Sequence, residues 1–453
     1  MHVSRTSAPV AGSGIVVVGA GLAGPVAAMY LARRFGRVTV LERRGDPRHL
    51  PAGQGRSLMV ILSERGWRVL RELGLEEAVR RICVPLAARC GHLPDGSTVV
   101  TPYSRDGAPI WAVERYRLHC LLLDAAEAEP GVRLHFERPV RAVDPEEPKL
   151  LVGAGTSERW IPCRHVLGCD GVHSAVRAAL VARGARERVS TLELAYQEIV
   201  LDLPSCDRGL MHYWPAGDAL FGAFPLASSP RFAGSVFFRR EGPRPSYAAA
   251  VDGPALARQF AETFPGLAAG IPDLREQLAT KPVSAVRLTR CDRWVLGGTA
   301  ALVGDSCHAM APFMGQGMNC AFEDVRTLVS CLDREQDWER AFTAYERIRR
   351  RDADAITDIS YQHYRTMSRL PDPRHEAEEA VARRLVALMP HRFVPLYERC
   401  AFSEESYSSA LAEERRLRAL ARRILSRHGP AADLPDAHLR ACVTQEENAG
   451  RAS

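Results

Sequence analysis

A run of glycines placed where a strand must turn into a helix leaves a chain few folds, and this chain carries one at residues 14–25. Ile15, Val16, Val17 and Val18 make a short apolar, β-branched run suited to a fully buried strand. Gly19, Gly21 and Gly24 follow in G-x-G-x-x-G spacing. The first glycine permits the tight turn, the second lets a pyrophosphate approach the backbone, and the third lets helix pack on strand. Pro25 suits a first-turn position, and a helix over 26–35 would point its positive end at the phosphates. A second strand, 38–41, leads into Glu42, 18 residues after Gly24 and close to the offset of a ribose-binding carboxylate. Residues 14–32 are almost free of charge, which also describes a membrane span. Their glycines, Pro25 and the strand-then-helix pattern argue for the dinucleotide site instead.

With 453 residues, 46% apolar and 25% charged, the chain has material for two or three soluble domains. Its net charge of +6 comes from scattered arginines rather than a basic block with interleaved aromatics, which argues against a nucleic-acid partner. Residues 1–13 lack the apolar stretch of a signal peptide, and no other segment reads as a membrane span. The 12 cysteines are dispersed, with no C-x-x-C and no Cys/His group at zinc spacing. No metal is expected, and the thiols are those of a reducing, cytoplasmic compartment.

Further along, helical spacing at 63–73 and 115–128 and strands at 99–103, 132–136 and 139–143 complete a first α/β unit. Residues 192–240 switch to short aromatic strands between Pro/Gly turns, the pattern of an antiparallel sheet. Helices are expected over 321–351, 377–388 and 403–427. Two segments stand out. Gly168-Cys169-Asp170-Gly171 puts an acid between a strand and a helix. Gly304-Asp305 does the same ahead of a glycine-rich loop containing Pro312, Gly315 and Gly317. A carboxylate at such a strand end can bond a ribose or ribitol hydroxyl, and N–H groups at Met318 and Asn319 can hold negative charge on a ring. Either segment alone is compatible with an ordinary turn.

Taken together, G-A-G-L-A-G, G-C-D-G and G-D-x-x-H-x-x-x-P resemble the single-component, FAD-dependent aromatic hydroxylases of the para-hydroxybenzoate hydroxylase fold. Within them the chain resembles the kynurenine 3-monooxygenases, on Gly55-Arg56-Ser57, Leu62 to Gly66, Pro102-Tyr103, His212 to Pro215, Pro312 to Asp324 and Met389 to Tyr397. The resemblance implies an α/β chain: a Rossmann-type FAD-binding domain (14–185 and 288–335), an antiparallel β-sheet substrate domain (186–287) and a C-terminal helical region (336–428). Residues 1–13 and 429–453 would be loose tails. It also implies a form without the membrane anchor of eukaryotic relatives, and a homodimer is a further expectation.

Carried over by position, FAD contacts fall on Gly19, Gly21, Leu22, Ala23, Gly24, Leu41, Glu42, Arg43, Arg44, Arg56, Ile61, Arg115, Val140, Asp170, Gly304, Asp305, Pro312, Gly315, Gly317, Met318 and Asn319. Substrate contacts fall on Arg89, Tyr103 and Tyr397, a guanidinium fork and two phenols suited to an amino-acid carboxylate. Alone, Arg89 would read as a solvated arginine and Tyr397 as a core tyrosine. The chain departs from the pattern at His363, where the family has Asn, at Met314, and at Ala216 and Ala219, which imply a roomier pocket. His363 beside a carboxylate would have its pKa raised from about 6.5, weakening affinity as pH rises.

The implied reaction takes NADPH or NADH and O2 to a flavin C4a-hydroperoxide that hydroxylates an amino-substituted ring, kynurenine or a modified kynurenine, at the 3-position. No catalytic acid or base is demanded, because the amine activates the ring. With one dinucleotide fingerprint, the nicotinamide cofactor is expected to bind transiently. A halogenase or double-bond reductase of the same fold is the alternative, although the halogenase W-x-W-x-I-P is absent: Trp214 is followed by Pro-Ala-Gly. A non-catalytic FAD-binding partner is the third.

Overall fold

The computed structural model describes residues 14–49, 59–368, 373–429 and 434–451. Arg56 lies outside them. The apolar strand Ile15–Val18 sits inside a six-stranded sheet, paired in parallel with Val38–Leu41 on one side and His165–Gly168 on the other. Val132–His135 and Ala300–Leu302 extend it in parallel, and Val295–Leu296 closes one edge antiparallel. All four residues of Ile15–Val18 are buried, as a strand covered on both faces by helices requires. Among the described residues no helix is long and apolar enough to cross a membrane.

A seven-stranded sheet lies beside it, in the order Ser284–Cys291, Glu187–Leu201, Phe232–Arg239, Ala219–Pro225, Leu210–Ala216, Ala88–His92 and Thr98–Pro102. The helices Gly253–Thr263 and Leu274–Thr280 cover one face over a core of Phe221, Phe238 and Phe260. The expected boundaries therefore need correction. Two strands of this sheet come from residues 88–102, inside the stretch assigned to the first domain, and the strand Ser284–Cys291 straddles the 287/288 boundary. The reason is the pairing of Ala88–His92 with Leu210–Ala216, a parallel contact between segments some 120 residues apart that no local pattern announces.

The C-terminal part is helical: Gly317–Arg334, Trp338–Ser368, Pro373–Leu388, Leu396–Phe402 and Tyr407–His428. The helix expected over 321–351 is thus two, broken at 335–337. The tail expected to be loose carries a further helix, Asp436–Arg451. Its Leu439, Cys442 and Val443 are buried against Val381, Leu385, Leu420 and Ile424. Spacing of i, i+3, i+4 supplies that apolar stripe even though the segment is polar overall.

Candidate active site

The dinucleotide cleft is built from backbone. Gly19 has φ +97°, and a Cβ there would stand 2.5 Å from the Cys169 carbonyl oxygen. Its N–H donates to the Leu41 carbonyl at 2.7 Å, tying the turn to the neighbouring strand. A Cβ on Gly24 would lie 2.0 Å from the Gly19 oxygen, so this glycine sets how closely helix Ala23–Phe35 packs. A Cβ on Gly21, in contrast, would meet nothing within 4 Å. Leu22 at the helix N-cap offers no side-chain cap and the first turn holds no acid, so the leading N–H groups face that open space uncapped. Gly21→Val should therefore leave the fold intact but crowd a pyrophosphate, costing about 1–3 kcal/mol of binding, roughly five- to hundredfold in affinity. Normal FAD content in a folded Gly21→Val protein would contradict that use of the turn.

Glu42 holds this turn rather than hanging free. Its carboxylate accepts the Ala20 N–H and the Arg44 N–H, both at 2.9 Å. Arg43 and Arg44 are exposed beside it, and Val140 opens the small sheet that follows. His119, unnoticed in the sequence, reaches the Ala20 carbonyl with Nε2 at 2.6 Å. Arg115 lies one turn earlier on the same helix face, and its guanidinium has no hydrogen-bond or ion-pair partner among the described residues.

Asp170 accepts the Ala175 and Val176 N–H groups through Oδ2, at 2.7 and 3.3 Å. Its Oδ1 is shut away from solvent with no partner, and burial pushes the carboxyl's pKa up against the bonds that oppose it. Asp305 is exposed at the start of the short helix Asp305–His308, also without a hydrogen-bond or ion-pair partner among the described residues. Open space at Gly21, an orphaned acceptor on Asp170 and unpaired charges on Arg115 and Asp305 fit a dinucleotide with ribose and ribitol hydroxyls. These residues suit FAD.

The ring end is formed by the exposed Pro312, by Gly315 at φ +63° and by the start of helix Gly317–Arg334. The first intrahelical bond runs from the Cys320 N–H to the Gln316 carbonyl, leaving the Met318 and Asn319 N–H groups without helical acceptors. The Asn319 side chain is a clamp. Nδ2 donates to the Ile61 and Gly315 carbonyls, each at 2.8 Å, and Oδ1 accepts the Ser63 N–H at 3.0 Å.

Behind the clamp lies a buried ionic chain that the sequence does not reveal. Asp324 takes His308 Nε2 at 2.5 Å and the Gly304 N–H at 3.0 Å on one oxygen, and Arg349 Nε at 2.9 Å on the other. Arg349 also pairs with Glu323 at 3.0 Å, and Glu323 with Arg65 at 2.7 Å. Burial opposes charge on both members of the His308–Asp324 pair. Their mutual attraction prevails, raising the His308 pKa and, with Arg349, lowering that of Asp324.

The recognition end converges from four elements. Arg89 is on strand Ala88–His92, Tyr103 follows strand Thr98–Pro102, His363 is on the long helix Trp338–Ser368, and Tyr397 on Leu396–Phe402. The Tyr103 and Tyr397 rings are 5.1 Å apart, and His363 is 6.4 Å from Tyr397. Burial pushes both phenol pKa values far up, so each stays a hydrogen-bond donor. Tyr213 joins them, its hydroxyl over Gly91, where a Cβ would come within 2.6 Å. One apolar wall containing Ile61, Tyr103, Tyr213, Phe224 and Tyr397 runs from the ring end to this cluster. Phe313 closes another side, stacked 4.8 Å from Tyr364.

Two expectations fail here. Arg89 donates to His363 Nε2 at 3.1 Å, and burial together with that cation drives the His363 pKa down, to about 3, not up. His363 is a neutral acceptor, so KM should not track its titration near neutrality. Its folded pKa is depressed, so its stabilising share is full above about 6.5 and fades as pH falls toward about 3. His363→Asn should accordingly flatten stability against pH between those values, measured by urea unfolding. Ala216 and Ala219, moreover, do not widen the pocket. Strand alternation turns them toward the helix-covered core with Phe221, and Met314 is buried in the main core.

A parallel sheet with a glycine-lined cleft, joined to an antiparallel sheet, defines an FAD-binding protein of the para-hydroxybenzoate hydroxylase fold. A family model described as an FAD binding domain matches residues 13–360. The kynurenine 3-monooxygenase of Xanthomonas oryzae pv. oryzae (strain PXO99A) is 37% identical over 416 residues, spanning 89% of this chain and 90% of that protein. The kynurenine 3-monooxygenase of Xanthomonas campestris pv. campestris (strain 8004) is 36% identical over 409 residues, 88% and 89%. The tetrameric form of 2-methyl-3-hydroxypyridine-5-carboxylic acid oxygenase superposes with a TM-score of 0.67 at 22% identity, covering 78% of this chain and 92% of that one. Pseudomonas aeruginosa PqsL in complex with 2-aminobenzoylacetate gives 0.63 at 23%, covering 78% and 96%. The chain belongs to this FAD-binding family and is a flavoprotein monooxygenase.

Proposed function

We propose that the protein hydroxylates kynurenine, or a kynurenine modified on ring or side chain, to the 3-hydroxy product, with NADPH or NADH as reductant and O2 as oxidant. The observation that carries this is the convergence of Arg89, Tyr103 and Tyr397 at the far end of an apolar wall that begins at Ile61 beside the ring-end loop. In a chain so similar to kynurenine 3-monooxygenases, a fork and two phenols fit the carboxylate of an aromatic amino acid.

Bound FAD, once reduced, supplies the activated oxygen. The chain's own part is orientation and exclusion. Arg89 donates to the carboxylate, and the two protonated phenols are placed to complete its shell. His363, neutral, holds the guanidinium until substrate arrives. The wall of Ile61, Tyr213 and Phe224 keeps water from the ring. The Met318 and Asn319 N–H groups, held in place by the Asn319 clamp, would stabilise negative charge on a flavin ring bound at this end.

The test is NADPH and O2 consumption by the purified holoprotein, with product mass determined for kynurenine, ring-methylated kynurenines, anthranilate and aryl amino acids. Coupled turnover adding one oxygen to a kynurenine supports the reading. Turnover only with anthranilate or another arylamine acid would move the substrate class, and a halide-dependent product would replace monooxygenation at this site.

A further inference from the structure

The sequence shows no cysteine–histidine group at zinc spacing, yet the fold assembles one. We infer that Cys90, His92 and His212 form a binding site for a borderline-soft divalent metal ion, zinc foremost, on the sheet face opposite the proposed substrate pocket.

Strand alternation creates the grouping. Arg89 and Gly91 face the pocket, so Cys90 and His92 share the opposite face. Leu210–Ala216 runs parallel alongside, with His212 the register partner of Cys90. One ligand atom from each of Cys90, His92 and His212 lies within 4.8 Å of the others. His92 Nε2 and His212 Nδ1 are 2.9 Å apart. Two nitrogens on one tetrahedral zinc stand roughly 3.3 Å apart, given Zn–N bonds of about 2.0–2.1 Å. The two nitrogens need to part by only about 0.4 Å to share the ion.

The outer partners are those a metal site uses. His212 donates its Nε2–H to the Asp207 carbonyl at 2.8 Å, which fixes the tautomer and leaves Nδ1 with its lone pair inward. The His92 ring lies flat on Trp214, 4.2 Å away and tilted by only 5°, so its direction is fixed by stacking. A dication would bind Cys90 as the thiolate and displace the thiol proton. His92 is half-buried, which leaves an entry path from solvent.

The experiment uses the FAD-loaded protein, treated with a chelator, dialysed and titrated with Co2+. Expected are one equivalent bound per chain, a thiolate-to-cobalt charge-transfer band, release of at least one proton, and displacement of the band by Zn2+. Cys90→Ser, nearly isosteric, should abolish the band and weaken binding at least tenfold while retaining FAD. His92→Ala, at a half-buried position, should do the same. Cys442→Ser serves as control, because His428, His438 and Cys442 form a second group elsewhere; it should leave the band unchanged. Absence of a thiolate band in wild type, its persistence in FAD-loaded Cys90→Ser, or its loss in Cys442→Ser would each overturn the site.

Discussion

Replacing Arg349 by leucine should destabilise the protein by about 3–5 kcal/mol, because removing one partner of a buried ion pair strands the other charge. Three carboxylates are left behind: Asp324, fully buried, Glu323 and Asp352. Asp324 also anchors the Gly304 N–H and His308, so the loop carrying Asp305 should loosen and FAD should dissociate at lower denaturant than the fold itself melts. Arg340 on the same helix pairs with Glu335 at the surface, and Arg340→Leu should change little. The pH response follows from the two shifts. Asp324's depressed pKa contributes stability above about 3.9 that is lost as pH falls through the folded value. His308's raised pKa contributes stability that is full below about 6.5 and lost as pH climbs through the folded value. Urea unfolding of the FAD-loaded protein reads both, and an Arg349→Leu midpoint equal to wild type would strip the network of its role.

Arg89→Ala should raise KM for an amino-acid substrate by roughly thirty- to several-thousandfold, the about 2–5 kcal/mol of a truncated buried charge pair. Turnover at saturation should fall less than KM rises, although uncoupled oxidation of the reductant should grow as the ring loses its place. Arg89→Lys should recover little, since an ammonium cannot form the planar fork. An analogue without the carboxylate is the informative control: wild type and Arg89→Ala should handle it alike. Removing the cation also removes one of the two influences that depress His363, so its imidazole should titrate higher in the variant. A KM for kynurenine unchanged by Arg89→Ala would remove carboxylate recognition from this arginine.

The cofactor cleft was legible because its determinants are local. Three glycines, a buried strand and an acid at the right offset are encoded within 29 residues, and all of them meet at one turn. Arg89, Tyr103, His363 and Tyr397 could be named together only through resemblance, and the fold does cluster them. What stayed hidden is carried by distant pairs. Arg65, Glu323 and Arg349 are ordinary charges until helix packing buries them. His119 reads as a helix-surface residue until it meets Ala20. The His363 pKa shifts down rather than up because its neighbour is the Arg89 cation and not a carboxylate, a pairing of residues 274 apart in the chain. The side taken by Ala216 and Ala219 was recoverable from strand parity, since Ala216 alternates in phase with His212 and Trp214 and out of phase with Tyr213.

The parallel seam between Ala88–His92 and Leu210–Ala216 has a consequence for how the molecule is made. A nascent chain reaching residue 185 holds the first Rossmann strands but cannot place Arg89, whose strand waits for a partner not yet synthesised. Closing that loop costs entropy before any pairing rewards it, so the sheet should be a late and slow step. Until then the strand 88–92 presents an open edge, a hazard for misassembly. The protein should therefore resist division into independently folding halves, and a fragment ending before residue 210 should aggregate rather than bind FAD.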